Sequence, residues 1–518
     1  MRNIITAREA AALIPDGATL AVGGFNGFGT PDELLIALRD RFLETGAPHG
    51  LTLMKCVSVG DRAERGVNRI ALEGLLGKLI CSHVGLEPAM AKLVQENKIL
   101  AYLLPLGTLT ELYRAAAARR PGVLTRVGLE TFADPRLEGS KANARTQAEG
   151  EDMVSLVNLG GADCLFYPTI RPDVCFVRGT CADRNGSVSL SREAVHGEQL
   201  EAAAACRNSG GVVIVQVEDV ADCEFDPRDV KLHHSMVDYI VKARPENHAQ
   251  GYDSDEYRPE LCGEARKPRS ETAPMPLGDR KICGRRAAME LRRGALINLG
   301  IGVPEAVAAV AAEEGVSDRF TLSIESGVLG GVPLGGLGLG ASANPEAIYN
   351  MADILNVYDG GGLDMAVLGL AEMDAFGNVN VSQFGGRVIG PGGFIDISQN
   401  TPTVIFTGTF TAGGLKTSYA DGKWRLLQEG RVVKFKQRVE QITFSGAYAA
   451  RTGKRVLVVT ERAVFRLTPD GLELMEIAPG ADLERDILAR MEFRPRISPD
   501  LKEMDARLFR PEPLGLEI

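Results

Sequence analysis

Two stretches of this chain share a construction that narrows the folds open to it. In residues 19–31, TLAVGGFNGFGTP, an apolar run breaks into a glycine-rich turn and leads into PDELLIALRDRF (31–42). In residues 295–304, ALINLGIGVP, the same order of events leads into EAVAAVAAEEG (305–315). Each reads as a buried strand, a tight turn and a helix; Pro31 and the acidic residues after it suit the first turn of a helix. Runs such as MAVLGL (365–370) and RVLVVT (455–460) have the unbroken apolar character of strands covered on both faces. Such strands alternating with helical stretches predict an α/β chain with largely parallel sheets.

The two halves also resemble one another. REAAALIPDGATLAVGG (8–24) aligns with RRAAMELRRGALINLGI (285–301), an amphipathic helix, a glycine and a strand in each. PDVCFVRGTCADRNGSVSLS (172–191) aligns with LDMAVLGLAEMDAFGNVNVS (363–382), matching Asp173 to Asp364, Asp183 to Asp374 and Gly186 to Gly377. In both, a strand runs into an Asp-x-x-Gly turn and returns as a second strand. Residues 243–279 between the halves are rich in proline and charge and poor in apolar periodicity, so they read as a linker. The expectation is a duplicated α/β fold: a domain over 1–242, a linker over 243–279 and a second domain over 280–518. A ligand site is then expected at the interface of the copies.

Composition removes several classes of function. The 518 residues are 45% apolar and 24% charged, with a formal charge of −10 and no basic cluster. Nucleic acid and anionic membrane are therefore not expected partners. No stretch has the length and polarity of a signal peptide or a membrane span. The nine cysteines are odd in number, irregularly spaced and absent after Cys283, which points to reduced thiols in the cytoplasm. With six histidines and neither CxxC nor HExxH, no metal site is expected.

The residue that stands out chemically is Glu325, in IESGVLGG (324–331). A short strand, TLSI, delivers it to a Ser-Gly turn at the carboxyl end of a strand, where ligands of open α/β sheets gather. Small neighbours leave such a carboxylate uncrowded and able to act as a nucleophile. Spacing alone leaves a helix cap or a surface turn equally open. The turns GGFNGFGTP (23–31), GIGVP (300–304), GPGGFIDIS (390–398) and GTFTAGGLK (408–416) expose backbone donors suited to a phosphate or an oxyanion. Each could equally be a tight turn between packed strands. Neither of the first two has the spacing of a dinucleotide fingerprint, and no G-x-S-x-G elbow is present.

Taken together these segments resemble the family I CoA-transferases, especially the bacterial propionate and acetate CoA-transferase branch, related to the succinyl-CoA:3-ketoacid enzymes. The resemblance runs from ITAREAAALIPDG to SPDLKEMDARLF (498–509). It is densest in IESGVLGG, GGLDMAVLGLAEMDAFGNVNVSQFG (361–385), GPGGFIDIS, TFTAGGLK, VTERAVF (459–465) and EIAPGADLERDIL (476–488).

The resemblance implies two similar α/β domains with the active site between them, and Glu325 as the glutamate that is acylated and then carries CoA as a thioester. Gly300 and Gly302 match the family's first CoA-contacting turn, while Gly392, Gly393 and Lys416 fall in later segments that approach the cofactor. Coenzyme A is thereby implied as a substrate, held covalently in passing, with no other cofactor. Acyl-CoA and small carboxylic acids such as acetate or propionate are the implied partners, and a homo-oligomer, dimer or tetramer, is the implied assembly.

One departure stands in PLGTL (105–109). The family usually has glutamine where this chain has Leu106, and that amide is thought to bind the oxyanion or the substrate carboxylate. Loss of one such donor costs about 10²–10³ in rate in other enzymes. Either Asn26 or a backbone amide of the adjoining turn, such as that of Gly27, takes over, or the preferred acid is more apolar. Two alternatives follow: an acyl-CoA hydrolase, if water reaches the glutamyl thioester, and a non-catalytic acyl-CoA binding protein.

Overall fold

The computed structural model describes residues 3–268 and 274–518. They divide into two compact units. The first comprises Met1–Lys267, Ile324–Asn356 and Gly386–Asp396; the second comprises Pro268–Ser323, Val357–Gly385 and Ile397–Ile518. The chain thus passes between units several times, and the segment that begins at Ile324 belongs with the first.

The first unit is built on eight strands: β1 (Asn3–Ile4), β2 (Thr19–Val22), β3 (Leu51–Met54), β4 (Leu76–Cys81), β5 (Leu100–Leu103), β6 (Val174–Arg178), β7 (Val212–Val217) and β8 (Tyr239–Lys242). Their order across the sheet is β1-β8-β7-β6-β2-β3-β4-β5, and every neighbouring pair is parallel. All of β6 is buried, as a parallel strand covered on both faces must be. Leu20, Val22, Leu53, Phe176 and Ile214 from this sheet join Leu34, Leu35 and Leu38 of α1 (Asp32–Thr45) in one apolar core. Pro31 stands at the N-cap of α1, one residue before the helix begins. Asp32 follows it, and its carboxylate accepts the Gly66 amide (3.1 Å), Arg69 (3.2 Å) and the Tyr252 hydroxyl (2.6 Å).

The second unit repeats the theme. Its strands are β9 (Leu296–Leu299), β10 (Thr321–Ser323), β11 (Met365–Gly369), β12 (Thr403–Thr407), β13 (Arg455–Val459), β14 (Ala463–Thr468), β15 (Gly471–Ile477) and β16 (Arg496–Glu503). They lie in the order β10-β9-β11-β12-β13-β14-β15-β16. The first five are parallel, β14 is antiparallel to both neighbours, and β15 pairs parallel with β16. Helices α2 (Asp279–Ala288) and α3 (Ala306–Glu313) bring Ile282, Ala287, Val307 and Val310 into its core.

The duplication is visible in matched hydrogen bonds. Asp173 accepts the backbone amide of Thr19 and Asp364 that of Leu296, each at 2.8 Å. Asp183 accepts the amides of Asn185 and Ser187, and Asp374 those of Phe376 and Asn378. An aspartate used twice in the same turn explains why its spacing repeats in the sequence.

Of the stretch 243–279, residues 243–267 belong to the first unit. Arg178 donates to Ala249 O (2.8 Å), Gln250 is buried, and Tyr252 reaches Asp32. Residues 269–273 lie outside the described residues. Among the described residues no helix is long and apolar enough to cross a membrane, and no group of His, Cys, Asp and Glu is placed to hold a metal ion.

Candidate active site

Glu325 lies two residues beyond β10, half-buried, in the part of the chain assigned to the first unit. The turn carrying it is fixed on both sides. Ile324 N–H donates to Val328 O (2.9 Å), and the buried Ser326 hydroxyl donates to Gly340 O (2.5 Å). Val328–Leu329 then pairs antiparallel with Ala347–Ile348. Hydrogen bonds of this kind restrain the backbone that carries Glu325 before any ligand binds.

The turn after β2 adjoins the same loop. Asn26 is only 5% exposed and adopts a left-handed backbone (φ 55°), which asparagine tolerates better than most residues. Its amide N–H donates to Ser58 O (2.7 Å) and its side-chain Nδ2 donates to Leu339 O (2.7 Å). Leu339 and Gly340 therefore bind Asn26 and Ser326 through consecutive carbonyls. Gly27 carries no side chain because Tyr252 fills the space: a Cβ there would stand 2.4 Å from the ring.

Leu106 opens the helix Leu106–Ala117 and is 0% exposed. Its amide and that of Gly107 donate to the two carboxylate oxygens of Asp396, at 3.0 and 2.9 Å. An anion at a helix start satisfies two amides that have no partner within the helix. The family's glutamine position is thus filled by buried hydrocarbon, and the Asp396 carboxylate ties it to the GPGG segment. Within that segment Gly392 donates its amide to Ser82 O (3.1 Å), and Gly393 is buried beside it.

The remaining expected cofactor residues lie in the second unit. Gly300 follows β9 and Gly302 precedes a short 3-10 turn, and Arg280 of α2 donates to Gly302 O (2.7 Å). Lys416 is exposed at the rim of a cavity of about 600 Å³ lined by Leu277, Gly278, Asp279, Thr417 and Tyr419. Asp279 accepts the hydroxyls of Thr417 (2.6 Å) and Tyr419, and burial holds the tyrosine's pKa well above its ordinary value. The first residues of α2 therefore touch both the Gly302 turn and the Lys416 cavity. Gly392 and Gly393 belong to the first unit and the other three to the second.

Sequence reasoning did not find Ser326, Asp396, Ser58 or His83. Ser58 and His83 are hydrogen-bonded to each other at 2.7 Å near the carboxyl end of β4. Their one legible signal is that position, a polar pair just past buried strands.

A half-buried carboxylate on a Ser-Gly turn whose backbone is hydrogen-bonded on both sides is of the kind that can act as a nucleophile. Comparison with known proteins makes the class specific. Residues 4–243 match the family model described as coenzyme A transferase. The chain is 46% identical to a caffeate CoA-transferase of Acetobacterium woodii, covering 100% of this chain and 99% of that protein. It is 42% identical to the acetate CoA-transferase YdiF of Escherichia coli O157:H7, over 99% and 96% of the two chains. The crystal structure of that organism's acyl-CoA transferase (YdiF) as a thioester complex with CoA matches with a TM-score of 0.93 at 40% identity, over 100% of this chain and 98% of the other. The chain belongs to the coenzyme A-transferase family, and it is an enzyme that transfers CoA.

Proposed function

We propose that the enzyme moves CoA from a short-chain acyl-CoA to a carboxylic acid through a thioester on Glu325. The observation that carries this reading is the placement of Glu325 on a turn fixed by Ser326 and the 339–340 backbone, in a chain whose relative is described as a thioester complex with CoA.

The carboxylate oxygen of Glu325 attacks the acyl carbonyl and expels CoA thiolate, giving a mixed anhydride. The thiolate attacks the Glu325 carbonyl carbon, and the first acid leaves with the bridging oxygen. The acceptor carboxylate then attacks the glutamyl thioester, expelling thiolate and forming a second anhydride. Thiolate attack on the acceptor's carbonyl yields the new acyl-CoA and returns Glu325 as a carboxylate. No net proton, electron or water is consumed, and the thioester free energy is conserved. Retaining the thiolate between steps makes its return effectively unimolecular, worth about 7–11 kcal/mol at the upper limit.

Asn26 and the Gly27 amide are the proposed donors to the developing oxyanion. Gly300, Gly302, Gly392, Gly393 and Lys416 are the proposed CoA contacts. The buried Leu106 favours a donor or acceptor acid with apolar bulk, and an aryl acid such as the one in the Acetobacterium relative's name belongs in the substrate panel beside acetate and propionate. All nine cysteines are free thiols, which supports a reducing, cytoplasmic setting, and the family resemblance supports a homo-oligomer.

Oxygen transfer tests the scheme. After a single turnover with an acyl-CoA and ¹⁸O-labelled acetate, the peptide bearing Glu325 should gain one ¹⁸O. Label absent from Glu325, with oxygen from water entering the released acid, would replace this scheme by hydrolysis.

A further inference from the structure

The GPGG turn packs in the first unit against the residues that follow β4. Val84 N–H donates to Ile389 O (2.8 Å) and Gly392 N–H to Ser82 O (3.1 Å). At Gly390 the approach is so close that a Cβ would lie 2.2 Å from Ser82 O. His83 stands in this seam. A Cβ on Gly392 would lie 3.8 Å from His83 Cδ2, and one on the exposed Gly85 would lie 2.9 Å from His83 Nε2. The ring therefore lies beside the GPGG turn, with its Nε2 edge toward the surface side.

The protonation form of this ring is fixed by its neighbours. The Gly85 amide, which can only donate, points at Nδ1 (3.2 Å). An Nδ1 that faces this amide is unprotonated, so Ser58 Oγ, 2.7 Å away, gives its own proton to the ring while it accepts the Leu86 amide (3.4 Å). Nδ1 is an acceptor, and the proton of the neutral imidazole sits on Nε2. Burial lowers the ring's pKa to about 4, and the Lys55 ammonium below it, which donates to His83 O (2.9 Å), acts the same way. Lys55 is itself paired with Glu87 (2.9 Å), also fully buried. His83 is thus a neutral donor of fixed direction, and no acceptor among the described residues takes its Nε2 proton.

Leu106 borders the same segment through Asp396, three residues beyond Gly393, and offers no side-chain donor. We propose that His83 is an acid-binding residue, its Nε2–H donating to a carboxylate or thioester oxygen of the acyl group and so supplying the donor that Leu106 cannot. This rests on the Glu325 reading given above. Because the ring stays neutral, it binds the oxygen as a hydrogen-bond donor and keeps its proton.

The test is steady-state kinetics of His83→Phe, His83→Gln and the double variant His83→Phe/Leu106→Gln, with acetate as acceptor. His83→Phe should lower kcat/KM for acetate by about 10²-fold, in line with the loss of one oxyanion donor. His83→Gln, which keeps a donor, should stay within about tenfold of wild type, and Leu106→Gln should recover most of the loss in the double variant. A wild-type measurement guards against misfolding: in protein labelled with ¹⁵N-histidine, the Nε2–H resonance should be present from pH 5 to 8 and should shift on saturation with acetate and CoA. A folded His83→Phe variant within twofold of wild type, a His83→Gln variant as impaired as His83→Phe, or an Nε2–H resonance indifferent to acetate would each overturn the proposal. Formation of the Glu325 adduct by wild-type enzyme, measured alongside, shows separately whether the underlying reading holds.

Discussion

The side-chain amide of Asn26 and the hydroxyl of Ser326 donate to consecutive carbonyls, those of Leu339 and Gly340, at 2.7 and 2.5 Å. Two turns three hundred residues apart in sequence are therefore held by one dipeptide, and the residue next to Glu325 is part of that clamp. Ser326→Ala removes a buried donor and leaves the Gly340 carbonyl without it. The expected cost is about 1–3 kcal/mol of stability, seen as a lower Tm. Single-turnover thioester formation should slow while the KM for acyl-CoA changes little, because the lost bond orients Glu325 and does not touch CoA.

Gly27 is expected to tolerate no side chain. In Gly27→Ala the new methyl would fall 2.4 Å from the Tyr252 ring, whose hydroxyl is anchored on Asp32 at 2.6 Å. Overpacking of this kind costs about 1–3 kcal/mol. Chemical denaturation should show a lower midpoint with an unchanged slope, and Tyr252→Ala in the same chain should relieve part of the loss.

Glu198, at the start of helix Gln199–Asn208, gives the fold a pH dependence opposite to that of a paired carboxylate. Its carboxyl is fully buried, and among the described residues neither oxygen has a hydrogen-bond partner of normal geometry. Burial, reinforced by the nearby Glu201, pushes its pKa up to about 8. The unfolded chain gives up this proton in the ordinary glutamate range, whereas the folded chain keeps it until near pH 8. Between those values the folded state binds more protons, so the contribution of Glu198 to stability falls as the pH rises and then levels off. Glu198→Gln should flatten that decline in a series of denaturation curves from pH 5 to 9, with its largest stabilising effect at the alkaline end.

Much of this was legible in the sequence because it is local. The strand, turn and helix at 19–42 and 295–315 follow from apolar runs broken by glycine, and the repeated aspartates at 173 and 364 do the same work in both halves. Glu325 stands out in the sequence by its Ser-Gly turn, and its proposed role comes from the family resemblance. The swaps of residues 324–356 and 386–396 into the first unit were not legible, because nothing in their local pattern names the sheet they pack against. His83 escaped for a related reason. A lone histidine acquires direction only from Ser58, twenty-five residues away, and from a turn three hundred residues further along.

The most direct measurement of the central claim is the intact mass of the protein after incubation with acetyl-CoA or propionyl-CoA in the absence of acceptor, beside Glu325→Ala. The account predicts a CoA-sized adduct on the wild-type chain that added acetate discharges and that Glu325→Ala abolishes. An adduct that survives Glu325→Ala, or steady consumption of acyl-CoA with no adduct on the wild-type chain, would contradict it.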